Sequence, residues 1–281
     1  MARGLIERID AHHHLWRYSN DEFAWISPAM ETLKRDFFAA ELVGEMRAVG
    51  VAGCVAVQAR QSLEETRWLL ECAAECEAIR GVVGWVPLAD PEVGAILREF
   101  AADGRLKGVR HIVQDEPDDD FILREDFGRG VAALLDTGLV YDLLVHERHL
   151  PQTVEFVRRH PEQAFVLDHL GKPKVGAGEI EGWREQIMRL AECGNVSCKL
   201  SGLVTEADWV NWTLDDLRPY LDVALEAFGA ERLMAGSDWP VCLLASGYER
   251  WWATLEAWAE PLTDVQREQI FGGTAQRVYR L

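Results

Sequence analysis

Residues 9–16 read IDAHHHLW. On an extended strand side chains two apart share a face, so His12 and His14 point together while His13 points away. Such an HxH element can grip one metal ion with two imidazoles, or set two donors beside a single substrate oxygen. Further along, short apolar runs end in groups that packing does not ask for. They are Arg110 and His111, Asp168 and His169, Lys199 and Ser201, and Asp238 before Trp239. Imidazoles, cations and carboxylates at the ends of five runs make a site only if the fold brings those ends to one rim.

The elements that would do so are legible as an alternation. Strand-like runs occupy 8–14, 51–59, 81–88, 106–113, 139–145, 164–170, 196–202 and 232–238, separated by stretches with 3.6-residue periodicity. Strand–helix alternation implies parallel strands joined by helical crossovers. Eight such units in 281 residues predict a closed (β/α)8 TIM-type barrel, read as a single domain over 1–281. No GxGxxG follows the first strand, which removes the dinucleotide-binding alternative. Barrel chemistry sits at the carboxyl ends of the strands. Neighbours on a strand face opposite ways, so only one of Arg110 and His111 enters the mouth. His111 is the expected one, with Arg110 behind it.

Composition limits the partners. Apolar residues make up 48% of the chain, enough for a large core, and the formal net charge is −18. That charge repels polyanions, which argues against nucleic acid and anionic membranes as partners. No run approaches the ~20 apolar residues of a membrane span, and the start, MARGLIERID, lacks the apolar region of a signal peptide. The six cysteines form no CxxC pair, and Cys72 and Cys76 fall one turn apart on a helix-like stretch, as packing residues. Scattered thiols suggest a reducing compartment and predict a cytoplasmic protein. Oligomeric state stays open.

The stretches IDAHHHLW, VRHIVQDEPD, VLDHLGKP, CKLSGLVTEADW and RLMAGSDWPV resemble the strand ends of the amidohydrolase superfamily, and more narrowly of its lactonase-rich branch. The likeness runs over essentially the whole chain. It implies hydrolysis of a small-molecule sugar lactone, L-fuconolactone or a related aldonolactone, to the open-chain acid. It also implies metal or substrate contacts at His12, His14, His169 and Asp238. Metal-dependent relatives commonly end the fourth strand in a lysine or carboxylate and the fifth in a histidine. Here the fourth offers Arg110 and His111, and the fifth is followed by HERHLP, where His146 or Glu147 can reach inward. The resemblance therefore implies one divalent ion, zinc first among the candidates, on His12, His14 and Asp238, or none, since a lactone is already a reactive ester. Two other readings of such a barrel are a metal-dependent decarboxylase of an aromatic or unsaturated carboxylic acid, and a binding barrel without catalysis.

Within the lactonase reading each residue has an expected part. Asp238 takes a proton from water, its basicity raised if it is partly desolvated. His111 and His169 donate to the carbonyl oxygen. Lys199 steadies the oxyanion or a hydroxyl, or else makes an ion pair. Trp25 and Trp239 offer flat faces to a sugar ring, and Gln58 and Arg60 contact hydroxyls or a carboxylate. Residues 17–37 form a lid, while His146, His149 and His160 stand apart; HERH lacks the HExxH spacing of zinc proteases.

Overall fold

The structure is a computed structural model that describes residues 7–281. Residues 1–6, part of the start read above as lacking a signal-type apolar run, lie outside the described residues. Eight strands run in parallel: β1 (Ile9–His13), β2 (Gly53–Val57), β3 (Ile79–Gly84), β4 (Leu106–Ile112), β5 (Val140–Leu144), β6 (Phe165–Leu167), β7 (Val196–Leu200) and β8 (Leu233–Ala235). Each pairs with the next in sequence order. The ring closes just beyond β8, where Asp238 N–H donates to the His12 carbonyl at 2.8 Å and His14 N–H to the Trp239 carbonyl at 2.7 Å. This is the (β/α)8 barrel that the alternation predicts.

The crossovers are α1 (Ala39–Ala48), α2 (Leu63–Glu75), α3 (Val93–Ala101), α4 (Glu125–Ala132), α5 (Leu150–Arg159), α6 (Glu181–Ala191) and α7 (Leu214–Phe228). The chain ends in α8 (Tyr248–Ala259), α9 (Asp264–Glu268) and α10 (Thr274–Tyr279). Helix starts carry local signals: the Ser62 hydroxyl accepts the Glu65 N–H, and Thr213 and Asp216 form a capping box. Among the described residues no helix is long and apolar enough to cross a membrane. Cys72 lies within α2 and Cys76 just past its end, both half-buried.

The strands bury both faces, and the two-residue period sorts side chains between two cores. Val55 and Val57 join Ile9, Ala11, Val83, Val140, Val166 and Met234 in the barrel lumen, which Ala275 and Tyr279 of α10 close from below. Cys54 and Ala56 face the helices. In β1 the register slips between Asp10 and His13, a bulge-like irregularity. It lets Ala11 line the lumen floor while His12 still turns inward beside it.

The sixth and eighth runs are shorter as strands than expected. Past Leu167 the chain enters a turn with positive φ at His169 (54°), Leu170 (54°), Gly171 (69°) and Lys172 (51°). Asp238 is also left-handed, at φ 58°. For residues other than glycine such backbone is uncommon and strained, and it lies where β6 and β8 meet the mouth.

Candidate active site

A cavity of about 290 Å³ opens at the carboxyl ends of the strands. His14, His169, Arg110 and Asp238 lie at its polar end, and Trp25, Met30, Ile112, Leu144, Val241 and Leu244 form most of its apolar wall. Lys172, Glu206, Trp209, Gln114 and Asp115 complete the rim.

His12, His14, His169 and Asp238 converge. His12 Nε2 and His14 Nε2 are 3.2 Å apart. Asp238 Oδ1 stands 3.3 Å from His14 Nε2, 3.6 Å from His12 Nε2 and 3.9 Å from His169 Nε2. The rings of His12 and His169 lie 4.4 Å apart. Each ring is held from behind. His14 Nδ1 meets the Val57 carbonyl at 2.8 Å, and His169 Nδ1 meets the Ser201 hydroxyl at 2.9 Å. Glycine makes room for the rings: a Cβ on Gly202 (φ 68°) would stand 2.5 Å from His169 Nδ1, and one on Gly236 2.9 Å from His12 Cβ.

Burial holds His12 well below the ordinary histidine value and His169 down at about 4, so both rings are neutral at neutral pH. For Asp238 burial is the largest single influence and pushes upward, but His169, His14 and Lys172 together outweigh it, and the carboxyl ends below its ordinary value. The raised basicity expected from desolvation alone is therefore reversed: the neighbours outweigh the burial.

Arg110, not His111, enters the lumen. Its guanidinium donates to Asp168 Oδ2 at 2.8 Å, to Gln58 Oε1 at 2.8 Å and to the Gln58 carbonyl, and passes 3.4 Å from His12 Nε2. His111 faces outward, stacked on Phe121 with centroids 5.0 Å apart and bonded to Glu116 at 2.7 Å. Parity permits either residue, and the buried carboxylate of Asp168 decides for the cation.

Four expected substrate contacts stand elsewhere. Lys199 is fully buried beneath the cavity, 2.5 Å from Asp142 Oδ2 and 3.0 Å from Asp168 Oδ1. Its ammonium is neutralised by strand carboxylates, so the ion-pair alternative holds and it does not reach a ligand. Gln58 is likewise buried, spent on Arg110. Arg60 pairs with Glu22 and lies against Phe23, tying the 17–37 loop to β2. Trp239 is buried against Phe37, and its carbonyl closes the ring. Trp25 alone of the two tryptophans meets the cavity, edge-on to Trp16.

Sequence reasoning missed Asp142, Lys172, Glu206 and Trp209. Lys172 reaches the rim because of the left-handed turn after β6, which no periodicity encodes. Asp142 carried a readable signal, a carboxylate in the apolar run VYDLLV. His146 and Glu147 follow β5 but line no part of the cavity. His149 and His160 also lie away from it, His149 bonded to Asp119 and His160 against Phe156.

A divalent ion fits the convergence. His12, His14 and Asp238 each offer a ligand atom within 4.8 Å of the others, and Asp238 Oδ1 is buried with no hydrogen-bond partner among the described residues. A second trio, His12, Asp168 and His169, meets the same distance.

The family model described as amidohydrolase matches residues 9–281. An L-fucono-1,5-lactonase of Burkholderia multivorans is 44% identical over 98% of this chain and 96% of that protein. An L-fucono-1,5-lactonase of Burkholderia ambifaria is 37% identical over 98% of this chain and 96% of that protein. A crystal structure of an amidohydrolase from Burkholderia multivorans with bound zinc superposes with a TM-score of 0.92 at 44% identity, covering 98% of this chain and 99% of that one.

Proposed function

Because the chain belongs to the amidohydrolase family, we propose that it is a lactonase, which hydrolyses L-fucono-1,5-lactone or a closely related aldonolactone to the open-chain acid. The observation that carries the mechanism is the unpartnered Asp238 Oδ1, set among three imidazoles at the end of a cavity of about 290 Å³.

Asp238 accepts a proton from water, and the hydroxide attacks the lactone carbonyl. The C–O double bond becomes a tetrahedral oxyanion, which N–H donors on His12 and His169 stabilise. When the oxyanion collapses, the ring C–O bond breaks and the alkoxide takes back the proton held by Asp238. Preorganised donors of this kind supply several kcal/mol, roughly 3–4 for a single good one. Arg110 faces the cavity with its charge already met by Asp168, and serves as a fixed wall. Trp25 and Trp209 present apolar faces to the ring, and Lys172 and Glu206 meet its hydroxyls. A divalent ion such as zinc, held by His12, His14 and Asp238, would polarise the carbonyl and acidify water. Decarboxylation of an aromatic acid would call for paired free cations, and Arg110 is already committed to Asp168.

The test is a panel of stereoisomeric 1,4- and 1,5-aldonolactones followed with a pH indicator, with aromatic acids and carbon dioxide release alongside. The expected result is turnover of a 1,5-lactone, lost by about 10³-fold in Asp238→Asn with ligand affinity kept. Undiminished turnover in that variant removes Asp238 from the reaction; carbon dioxide release without lactone turnover overturns the activity.

A further inference from the structure

Beneath the cavity lies a charge cluster that the proposed reaction does not use. Lys199 Nζ hydrogen-bonds Asp142 Oδ2 at 2.5 Å and His12 Nδ1 at 3.2 Å, and stands 3.0 Å from Asp168 Oδ1. Tyr279, reaching up from α10, fixes Asp142 through its hydroxyl, 2.9 and 2.8 Å from the two carboxylate oxygens. Arg110 holds the other side of Asp168. All of these side chains are buried.

The protons in this cluster set the state of His12. An ammonium only donates, so at His12 Nδ1 it faces a lone pair. A carbonyl only accepts, so His14 carries a proton on Nδ1 toward Val57 and, when neutral, a lone pair on Nε2. The 3.2 Å contact between the two Nε2 atoms is then satisfied by a proton on His12 Nε2. Two longer contacts oppose this arrangement, the Arg110 guanidinium 3.4 Å from His12 Nε2 and Asp168 Oδ1, an acceptor already facing Lys199, 3.4 Å from His12 Nδ1. The other tautomer sets Nδ1–H against the ammonium and lone pair against lone pair at the two shorter contacts, both 3.2 Å, so these decide for Nε2–H. A metal ligand needs its lone pair on Nε2, and therefore the other tautomer.

We propose that Lys199 is a built-in antagonist of metal binding: by donating to His12 Nδ1 it holds the ligand proton on Nε2, and with Arg110 it fills the second candidate trio with protein cations. His14 is poised for an ion and His12 is not. The site then takes one divalent ion at most, weakly, and the second position, around Asp168, is closed because that carboxylate already faces an ammonium and a guanidinium. This refines the metal ligation described under the proposed function and rests on that ligand set. It is measured without substrate, so a failure of the lactonase reading leaves its outcome untouched.

The experiment titrates zinc into the EDTA-dialysed full chain in competition with a chromophoric chelator. The expected stoichiometry is at most one ion per chain at this site. Lys199→Met should tighten zinc by about tenfold or more, because a unit charge a few ångströms from the ligand set is removed; Lys199→Arg should stay near the wild type. Lys199→Met paired with Asp142→Asn removes one charge of each sign and keeps the buried cluster balanced if the single variant does not fold. In the wild-type chain ¹⁵N NMR of the histidines, with His12 assigned by its loss in His12→Asn, should show the Nε2–H tautomer without zinc and a shift to Nδ1–H on loading. Affinity that is unchanged or weaker in the folded variants, two ions on these residues, or Nδ1–H in the zinc-free protein overturns the proposal.

Discussion

Gly202→Ala isolates the placement of His169 from its chemistry. The new Cβ would lie 2.5 Å from His169 Nδ1, 2.7 Å from Cγ and 2.9 Å from Cβ, whereas ordinary contact begins at 3.4 Å. The ring must therefore retreat by about 0.9 Å. That shift breaks the 2.9 Å contact with Ser201 and moves Nε2 relative to Asp238, from which it stands 3.9 Å. Misplacing a reacting group by about 1 Å costs on the order of 10² in rate. Gly202 also has φ 68°, and a left-handed alanine costs roughly 1–2 kcal/mol, which lowers the melting temperature by about 2–4 °C. Gly178→Ala is the control, since it carries the same strain (φ 66°) with no atom of the described residues within 4 Å of the new Cβ. Lactone turnover and thermal unfolding are measured on both. The expected outcome is a melting shift in both, larger in Gly202→Ala by the overpacking and the lost Ser201 contact, and about 10²-fold loss of kcat/KM in Gly202→Ala alone. Equal turnover in the two variants would show that the position of His169 does not matter to the reaction.

Other perturbations probe separate parts of the molecule. Trp25→Ala removes an exposed aromatic wall and should raise KM about 2–10-fold with little change in kcat; an unaltered KM places the sugar elsewhere. Exhaustive chelation should lower kcat by less than about tenfold, because the imidazole donors persist, and complete, zinc-reversible loss would assign the polarisation to the ion. Glu65 of α2 accepts the Ala59 and Arg60 N–H groups at 3.1 and 2.8 Å, yet burial raises its carboxyl to about 7. With the folded value above the unfolded one, the folded state holds a proton that the unfolded chain has released. Its contribution is full below pH about 4.5 and is lost as pH rises toward about 7. Urea unfolding at pH 5 and 7.5 should show stability falling less in Glu65→Gln than in the wild type, by about 1–2 kcal/mol. Parallel pH dependence in the two proteins would refute this.

The barrel was readable because a lumen and a helical shell impose an alternation on the strands, which the eight runs follow apart from the slip in β1 between Asp10 and His13. The same period put His12 and His14 on one face and turned His13 toward the outer side, in register with Ala56. What the period cannot do is choose between adjacent polar residues, as at Arg110 and His111, because either parity buries one of them. The choice was made by partners from other strands. A guanidinium inside the lumen requires a carboxylate there, and Asp168 supplies it; an imidazole outside is content with Phe121 and Glu116. A stronger rule follows from the cost of an unpaired buried charge, several kcal/mol. Arg110, Asp142, Asp168 and Lys199 each sit in or at the end of a strand-like run, on four strands that are consecutive in the barrel. Two cations and two carboxylates so placed have no economical solution except one another, which already demands a closed network in the lumen. Arg110 and Asp142 are indeed direct register partners. Taken as a set rather than each as a separate ligand contact, those four charges withdraw Lys199 from the substrate side and send Arg110 inward.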